Sequence, residues 1–316
     1  MCDINKNEML MGISEFPIDE YLEKLLIDKT TGKNIIFATG DYAEYGYDKH
    51  SEMTAIAIRG MDKNAIQPRV RKSQQEQAER TKKKAEVFTP SWVCNRMNNH
   101  CDEEWFGRKD VFNKEIDKED GKHTWVISEE KIEFPKQKTW QRYVDSKRLE
   151  ITCGEAPYIV SRYDASTGEQ IPLHERIGIL DRKMRIVNEN TETEEDWLKW
   201  TVRAFQSVYG YEFQGDNLLI ARINLLLSFV EYMQDKLHRI PSKKELNKMA
   251  NIITWNIWQM DGITGLIPFG KPDTVQVDLF DFTMYDNAGE TKSDECRIYD
   301  WRSKCSLTYN SMKRGN

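Results

Sequence analysis

An alternation of strand-like and helix-like segments, running from about residue 136 to about residue 260, is the feature that most constrains the fold. Such alternation is typical of a parallel sheet whose strands are joined by helices. The chain has 316 residues, which is enough for one large domain or two modest ones. We therefore predict an α/β fold with a doubly wound sheet and an N-terminal α+β extension.

Changes in composition divide the chain into three parts. Residues 1–84 form an extension that ends in a basic helix, residues 85–270 form the central domain, and residues 271–316 form a tail that is a candidate partner interface. A charged stretch near 102–135 has little periodicity, and we interpret it as an insertion in the central domain. Outside the alternation, local patterns predict helices near 18–27 and over 74–84, and strands over 34–39, 53–58, 275–282 and 296–301.

Composition limits the classes of function. Hydrophobic residues make up 39% and charged residues 31% of the chain, which predicts a packed core under a heavily charged surface. No apolar run approaches the roughly 20 residues that a membrane span needs, and the N-terminus lacks the pattern of a secretory signal. We therefore expect a cytoplasmic protein.

Basic charge is concentrated between residues 69 and 84. The net charge of −6 argues against nucleic-acid binding over the whole surface, so contacts with DNA phosphates are expected within this stretch. A solvated helix face is an equally good interpretation. The candidate DNA-binding residues are Arg69, Arg71, Lys72, Lys82 and Lys83.

The six cysteines are scattered and form no Cys-x-x-Cys pair. A cytoplasmic chain would keep them reduced. Cys94, His100 and Cys101 lie close together, but no second pair completes a four-ligand zinc site. Buried thiols are the better interpretation, and we predict no metal.

Two segments have the chemistry of an anion or cofactor site. The first contains Thr89 and Pro90, a good N-cap and a good first helical residue, and a helix that begins there directs its free N–H groups at a carboxylate or phosphate. In the second, a strand ends at Thr152 and a tight turn follows at Gly154. Such a turn brings backbone N–H groups to the carboxyl end of a strand, where doubly wound sheets bind cofactors.

Acidic residues follow the later strand candidates. Glu212 ends a short strand before a strongly apolar helix, and a carboxylate in that position can accept both hydroxyl groups of a ribose. Asp181 also follows a short apolar run and is the rival candidate. Asp261 precedes Gly262 at the end of a third strand candidate, where it could accept from an adenine amino group or simply form a turn.

Taken in order, these segments resemble the N6-adenine DNA methyltransferases of restriction–modification systems. In that family a Phe-Thr-Pro element, a glycine turn and two strand-end acids form the S-adenosylmethionine pocket. The resemblance covers roughly residues 69–262 and implies a Rossmann-like S-adenosylmethionine-dependent methyltransferase sheet, with S-adenosylmethionine as cofactor and DNA as partner. The cofactor-binding residues that it implies are Phe88, Thr89, Pro90, Glu150, Thr152, Gly154, Ala156, Glu212 and Asp261.

The chain departs from the family pattern in three ways. Ala156 stands where a second glycine is usual, and the interval between Gly154 and Glu212 is longer than usual. Family members also carry Asp or Asn followed by Pro-Pro and an aromatic residue, which hold the flipped adenine. This chain has nine prolines and no adjacent pair, so no catalytic residue can be assigned.

The missing loop suggests a split enzyme. We expect a second methyltransferase subunit, or a missing C-terminal region, to supply the Pro-Pro-aromatic motif and the target recognition region. The alternative is a non-catalytic methyltransferase-like protein that binds DNA or a partner without transferring methyl groups.

Overall fold

A computed structural model describes residues 12–62, 65–72, 77, 80–82, 89–119, 121, 123–272 and 294–313. The helices in this part of the chain are α1 (Ile18–Leu26), α2 (Ala55–Gly60), α3 (Ser91–Phe106), α4 (Trp140–Asp145), α5 (Ile179–Asn190), α6 (Glu194–Gln206), α7 (Gly215–Leu237), α8 (Lys243–Asn256) and α9 (Tyr309–Lys313). The strands are β1 (Asn113–Asp117), β2 (His123–Ile127), β3 (Arg148–Glu150), β4 (Val208–Glu212), β5 (Ile257–Gln259), β6 (Arg297–Asp300) and β7 (Cys305–Thr308). The predicted strand at 275–282 and most of the predicted helix at 74–84 lie outside the described residues.

A three-stranded parallel sheet, in the order β3-β4-β5, lies at the centre of the molecule. Helices α5 and α6 connect β3 to β4, and α7 and α8 connect β4 to β5. This arrangement confirms a mixed α/β fold with parallel strands joined by helices. Parallel strands need such crossovers, because the chain must return to the same end of the sheet before the next strand begins.

The two faces of the parallel sheet are covered differently. On one face, β4 and β5 contribute to a large apolar core that includes most of α7. On the other face, Tyr211, Trp258 and Met260 pack against Ile298 of the antiparallel β6–β7 hairpin and against Cys296, the residue before it. The predicted strand at 296–301 is therefore confirmed as β6, and the tail returns to the central domain.

The N-terminal extension shares the core of the predicted central domain. Apolar side chains of α1 belong to the same cluster as those of α6, α7 and α8. The fully buried Arg222 of α7 donates hydrogen bonds to the carbonyls of Leu25, Ile27 and Ile257, which joins α1 to α7 and β5. At the start of α7, the Gly215 N–H donates to the Phe37 carbonyl at 3.0 Å.

Local predictions in the extension had mixed outcomes. The helix near 18–27 is confirmed as α1, and the predicted strand at 34–39 forms only isolated bridges, Ile27 with Asn34 and Ile36 with Glu52. The predicted strand at 53–58 is wrong, because residues Ala55–Gly60 form helix α2. The Thr54 side chain accepts from the Ala57 N–H and begins that helix. A short apolar run does not distinguish a strand from a buried helix.

The charged stretch at 102–135 contains regular structure. Helix α3 extends to Phe106, and β1 and β2 then form an antiparallel hairpin. In the part of the chain that is described, no helix is both long and apolar enough to cross a membrane.

Candidate functional site at the carboxyl ends of the parallel strands

The turn after β3 has an unusual backbone. Thr152, Gly154 and Ala156 have φ values of +45°, +54° and +63°, in the left-handed region that favours glycine. The turn is attached to the sheet by the Cys153 N–H, which donates to the Tyr211 carbonyl at 2.8 Å. Ala156 therefore adopts the left-handed conformation even though it is not glycine. A β-branched residue in this conformation, such as Thr152, is a strained feature of the kind that clusters at functional sites.

Glu150, the last residue of β3, stabilises this turn by hydrogen bonds to its backbone. Its buried carboxylate accepts hydrogen bonds from the backbone N–H groups of Tyr158 and Ile159, at 3.3 and 3.1 Å. Burial raises the pKa of the Glu150 carboxyl well above its usual value, and these hydrogen bonds only partly oppose that shift. Glu150 was predicted to bind the cofactor, but its carboxylate binds the backbone of the turn after β3. These contacts give Glu150 a role in positioning that turn.

Glu212 lies beside the same turn, at the end of the neighbouring strand. Its carboxylate accepts from the Gly154 N–H at 2.8 Å and from the Gln214 N–H at 3.1 Å. Burial raises the pKa of Glu212, although the backbone hydrogen bonds act in the opposite direction. The structure therefore brings together the two sequence features that were predicted to form a cofactor site.

The rival acid, Asp181, does not lie at the end of a strand. It belongs to the first turn of α5 and accepts hydrogen bonds from the Gly178 N–H, the Ser161 N–H and the Tyr232 hydroxyl. These contacts fix the start of a helix inside the core. Of the two carboxylates, Glu212 alone meets the strand-end criterion on which the ribose prediction rested.

Asp261 follows the end of β5, as predicted, and forms a turn. Its Oδ1 accepts from the N–H groups of Ile263 and Thr264, at 2.8 and 3.2 Å. The next residue, Gly262, packs closely on the Tyr211 ring, where an added Cβ would lie 2.8 Å from a ring carbon. The loop that carries Asp261 is thus held against β4, on the same edge of the sheet as Glu212.

The Thr89–Pro90 segment meets the turn after β3. The Thr89 side chain is hydrogen-bonded with Tyr158, which belongs to that turn. The helix starts one residue later than predicted, because Pro90 is the N-cap of α3 and Ser91 is its first residue. The anion position at this helix terminus is filled by the chain itself, since the Ser91 N–H donates to Asp164 Oδ2 at 2.7 Å. Phe88 lies outside the described residues.

The candidate DNA-binding residues do not form one exposed surface. Arg69 and Lys72 are buried, whereas Arg71 and Lys82 are exposed. The Lys72 amine lies 3.1 Å from a carboxylate oxygen of the buried Asp216, so its placement does not support a phosphate contact. The predicted contact by Arg69 is likewise unsupported, because its guanidinium donates to the Gln77 carbonyl and the Thr81 hydroxyl. Lys83 lies outside the described residues.

Sequence reasoning missed a buried ionic cluster beside the candidate site. Asp216, at the start of α7, contacts Lys72, Arg80 and the Tyr42 hydroxyl. Its partners are more than one hundred residues away in sequence, at separations of 144, 136 and 174. No local signal marked the cluster, apart from an acid in the first turn of a predicted helix.

Segment 69–72 lies across this edge of the sheet. The backbone N–H of Arg69 donates to Glu155 at 2.6 Å, in the turn after β3, and Lys72 contacts Asp216. The candidate site is therefore bounded by the turn after β3, Glu212, the Asp261 loop and this segment. Cys94 is buried and Cys101 exposed on α3, and no three His, Cys, Asp or Glu side chains in the described part of the chain are placed to hold a metal ion.

Comparison with protein-family models, with curated proteins and with solved structures finds no match for this chain.

Proposed function

We propose that this chain is the S-adenosylmethionine-binding portion of a DNA adenine-N6 methyltransferase. Its parallel sheet would be one part of a Rossmann-like sheet, and a second polypeptide would carry the catalytic loop and the target recognition region. The observation that carries the proposal is the contact of the Gly154 N–H with the Glu212 carboxylate, at the carboxyl ends of adjacent parallel strands. Ligands of open α/β sheets bind at this edge.

The residues present fit such a cofactor. A Cβ added to Gly154 would meet no atom within 4 Å, so there is open space beside the turn. A carboxylate has about four lone-pair positions, and Glu212 uses some of them for the backbone N–H groups of Gly154, Gln214 and Phe213. The remaining acceptor capacity of this carboxylate would serve the ribose hydroxyl groups.

Each part of the site would bind a different part of the cofactor. Glu212 would accept from the ribose hydroxyls, and Asp261 from the adenine amino group. The turn at Gly154, with Thr89 against it, would hold the remainder of the molecule. When bound, S-adenosylmethionine supplies an electrophilic methyl group on its sulfonium, so the chain's own contribution is to orient that group and exclude water.

The β3 edge of the sheet supports a partner subunit, because no strand within the described ranges pairs with its outer side. Leu149 and Ile151, in and just after β3, are 45% and 64% exposed. At the opposite edge, Arg222 donates to the Ile257 carbonyl and the Gln259 side chain bonds with Ile36, which leaves all three β5 residues buried. Exposed apolar strand edges are sites for pairing with another chain.

Calorimetric titration with S-adenosylmethionine tests the cofactor proposal. Gly154→Ala and Gly154→Trp share the strain of a side chain at positive φ, but only the indole extends far into the open space beside the turn. We expect Gly154→Ala to bind more weakly than the wild type and Gly154→Trp not to bind. Gly32→Trp is the matched control, because Gly32 also has positive φ and open surroundings away from the site. Equal binding by the wild type and Gly154→Trp would refute the proposal.

Co-purification tests the split-enzyme part of the proposal. A polypeptide from the same source that carries the Pro-Pro-aromatic motif should bind this chain in the cytoplasmic fraction. The double variant Leu149→Lys, Ile151→Lys should lose that binding while it retains S-adenosylmethionine binding. Failure of such a polypeptide to bind the wild-type chain would refute the split-enzyme hypothesis.

A further inference from the structure

A tight turn beyond β5 presents an aromatic side chain where glycine would be unstrained. The Gly270 N–H donates to the Ile267 carbonyl at 2.9 Å, which closes a β-turn with Pro268 and Phe269 in its central positions. Phe269 has a φ of +62°. The third position of such a turn favours glycine, because a side chain there is strained.

Other contacts hold this turn without the ring. The Ile267 N–H donates to the Asp294 carbonyl at 2.9 Å, and the Lys271 N–H donates to Asp294 Oδ2 at 2.8 Å. Phe269 is 41% exposed and belongs to neither apolar core cluster. The strained aromatic residue is therefore not explained by packing of the core.

The Phe269 ring lies at the rim of the candidate site. Its centroid is 5.4 Å from that of Phe213, the residue directly after Glu212, in an edge-to-face arrangement. The His50 ring lies 4.6 Å away, and the Lys49 amine lies 5.0 Å from the Phe269 ring centroid. Lys49 and His50 are both exposed.

Exposed aromatic rings next to a cation are the groups with which proteins bind nucleotides without sequence preference. Rings stack on base faces, and lysine neutralises the neighbouring phosphate. We infer that Phe269, together with His50 and Lys49, forms a platform that stacks a nucleobase at the rim of the site. This inference rests on the proposed function, and the base belongs either to a DNA strand or to the adenosine of the cofactor.

Three variants of Phe269 separate the effect of its ring on ligand binding from its effect on the stability of the fold. Phe269→Gly removes the ring and the backbone strain, Phe269→Leu removes the ring and keeps the strain, and Phe269→Tyr keeps both. Binding to the full chain is measured by fluorescence anisotropy of a labelled single-stranded oligodeoxynucleotide and by calorimetry with S-adenosylmethionine. Urea midpoints report the stability of each variant.

We expect Phe269→Gly and Phe269→Leu to weaken binding of one probe by about 5- to 150-fold, and Phe269→Tyr to bind as the wild type does. The probe that weakens identifies the source of the base. The urea midpoint of Phe269→Gly should equal or exceed that of the wild type. If the oligonucleotide is the ligand, Lys49→Ala should reduce the slope of its salt dependence by about 0.7.

The outcomes distinguish this inference from the proposed function. Normal S-adenosylmethionine binding, with neither probe affected by loss of the ring, would overturn the platform and leave the proposed function intact. Ring-dependent oligonucleotide binding by a chain that does not bind S-adenosylmethionine would support the platform and refute the proposed function. Binding of neither probe by the wild-type chain would overturn both.

Discussion

Asp216→Asn should destabilise this chain more than any exposed charge substitution. The Asp216 side chain is fully buried, 3.1 Å from the Lys72 amine and 2.8 Å from the Arg80 guanidinium. Burial raises the pKa of the Asp216 carboxyl, but the two cations outweigh that effect and hold the pKa well below its usual value. The carboxyl is therefore ionised in the folded chain at neutral pH.

The size of the effect follows from what the substitution leaves behind. Both cationic side chains of the cluster are themselves less than 10% exposed. The amide would therefore take the carboxylate away from the buried Lys72 and leave Arg80 with Asp41, whose carboxylate lies 3.1 Å from its guanidinium. Removal of one partner from a buried ion pair costs about 3–5 kcal/mol. Lys72→Ala should cost less, about 1–3 kcal/mol, because Arg80 and the Tyr42 hydroxyl still contact the carboxylate.

Urea denaturation followed by tryptophan fluorescence measures these changes. The matched control is Asp19→Asn, which removes an ion pair of similar length, 2.8 Å to Arg59, between side chains that are about half exposed. The control should change stability by under about 1 kcal/mol. Equal effects of the two asparagine substitutions would refute the buried cluster. Joint replacement of Asp216, Lys72 and Arg80 by apolar residues should recover much of the loss, because the desolvation cost disappears with the charges.

Four further changes test other parts of the structure. Thr152→Gly should raise the urea midpoint by the equivalent of about 0.5–1 kcal/mol, because the strain relieved at positive φ exceeds the entropic cost of glycine; a lower midpoint would contradict the strained turn. Gly215→Ala should destabilise by about 1–3 kcal/mol in the same assay, since the added Cβ would lie 2.1 Å from a backbone carbonyl of the extension. The Arg239 hydrogen bond lowers the pKa of Glu245 to about 2. The stabilisation lost in Glu245→Gln, about 1 kcal/mol, should therefore be present above pH 4.5 and disappear as the pH falls towards 2, in denaturation curves measured across that range. On the proposed function, Lys82→Ala should weaken DNA binding and reduce the salt slope of that binding by about 1 in anisotropy titrations, without a change in the urea midpoint. Unchanged DNA binding would make the exposed Lys82 part of a solvated helix face.

Features encoded by neighbouring residues were predictable from the sequence. The capping box of Ser242 and Glu245 forms at the start of α8, because both partners lie within one helical turn. The turn at Gly154 and the acid at Glu212 were also predicted from local sequence, since the turn comes soon after β3 and Glu212 is the last residue of β4. Their contact also follows from topology, because the carboxyl ends of adjacent parallel strands share one edge of a sheet.

Features that depend on distant partners were not predictable. Lys72 was a reasonable phosphate contact by charge alone, and its burial follows from Asp216, a residue 144 positions away. Asp181 had the local pattern of a strand-end acid, but Ser161 and Tyr232 make it the N-terminal acid of a buried helix. In each case the role of the side chain depends on which hydrogen-bonding or charged partner the fold brings into contact with it.

The two edges of the parallel sheet are covered differently, and this bears on the proposed partner subunit. At the β5 edge, the extension supplies Ile36 to the Gln259 side chain and carbonyls to Arg222, so the chain itself covers that strand. Among the described residues, no strand pairs with the outer side of β3, where Leu149 and Ile151 remain exposed. An extension that covers one edge restricts strand addition to the other. A partner that adds a strand beside β3 would extend the same carboxyl edge, next to Gly154. On the proposed function, this is the edge at which the partner's catalytic loop would meet the cofactor.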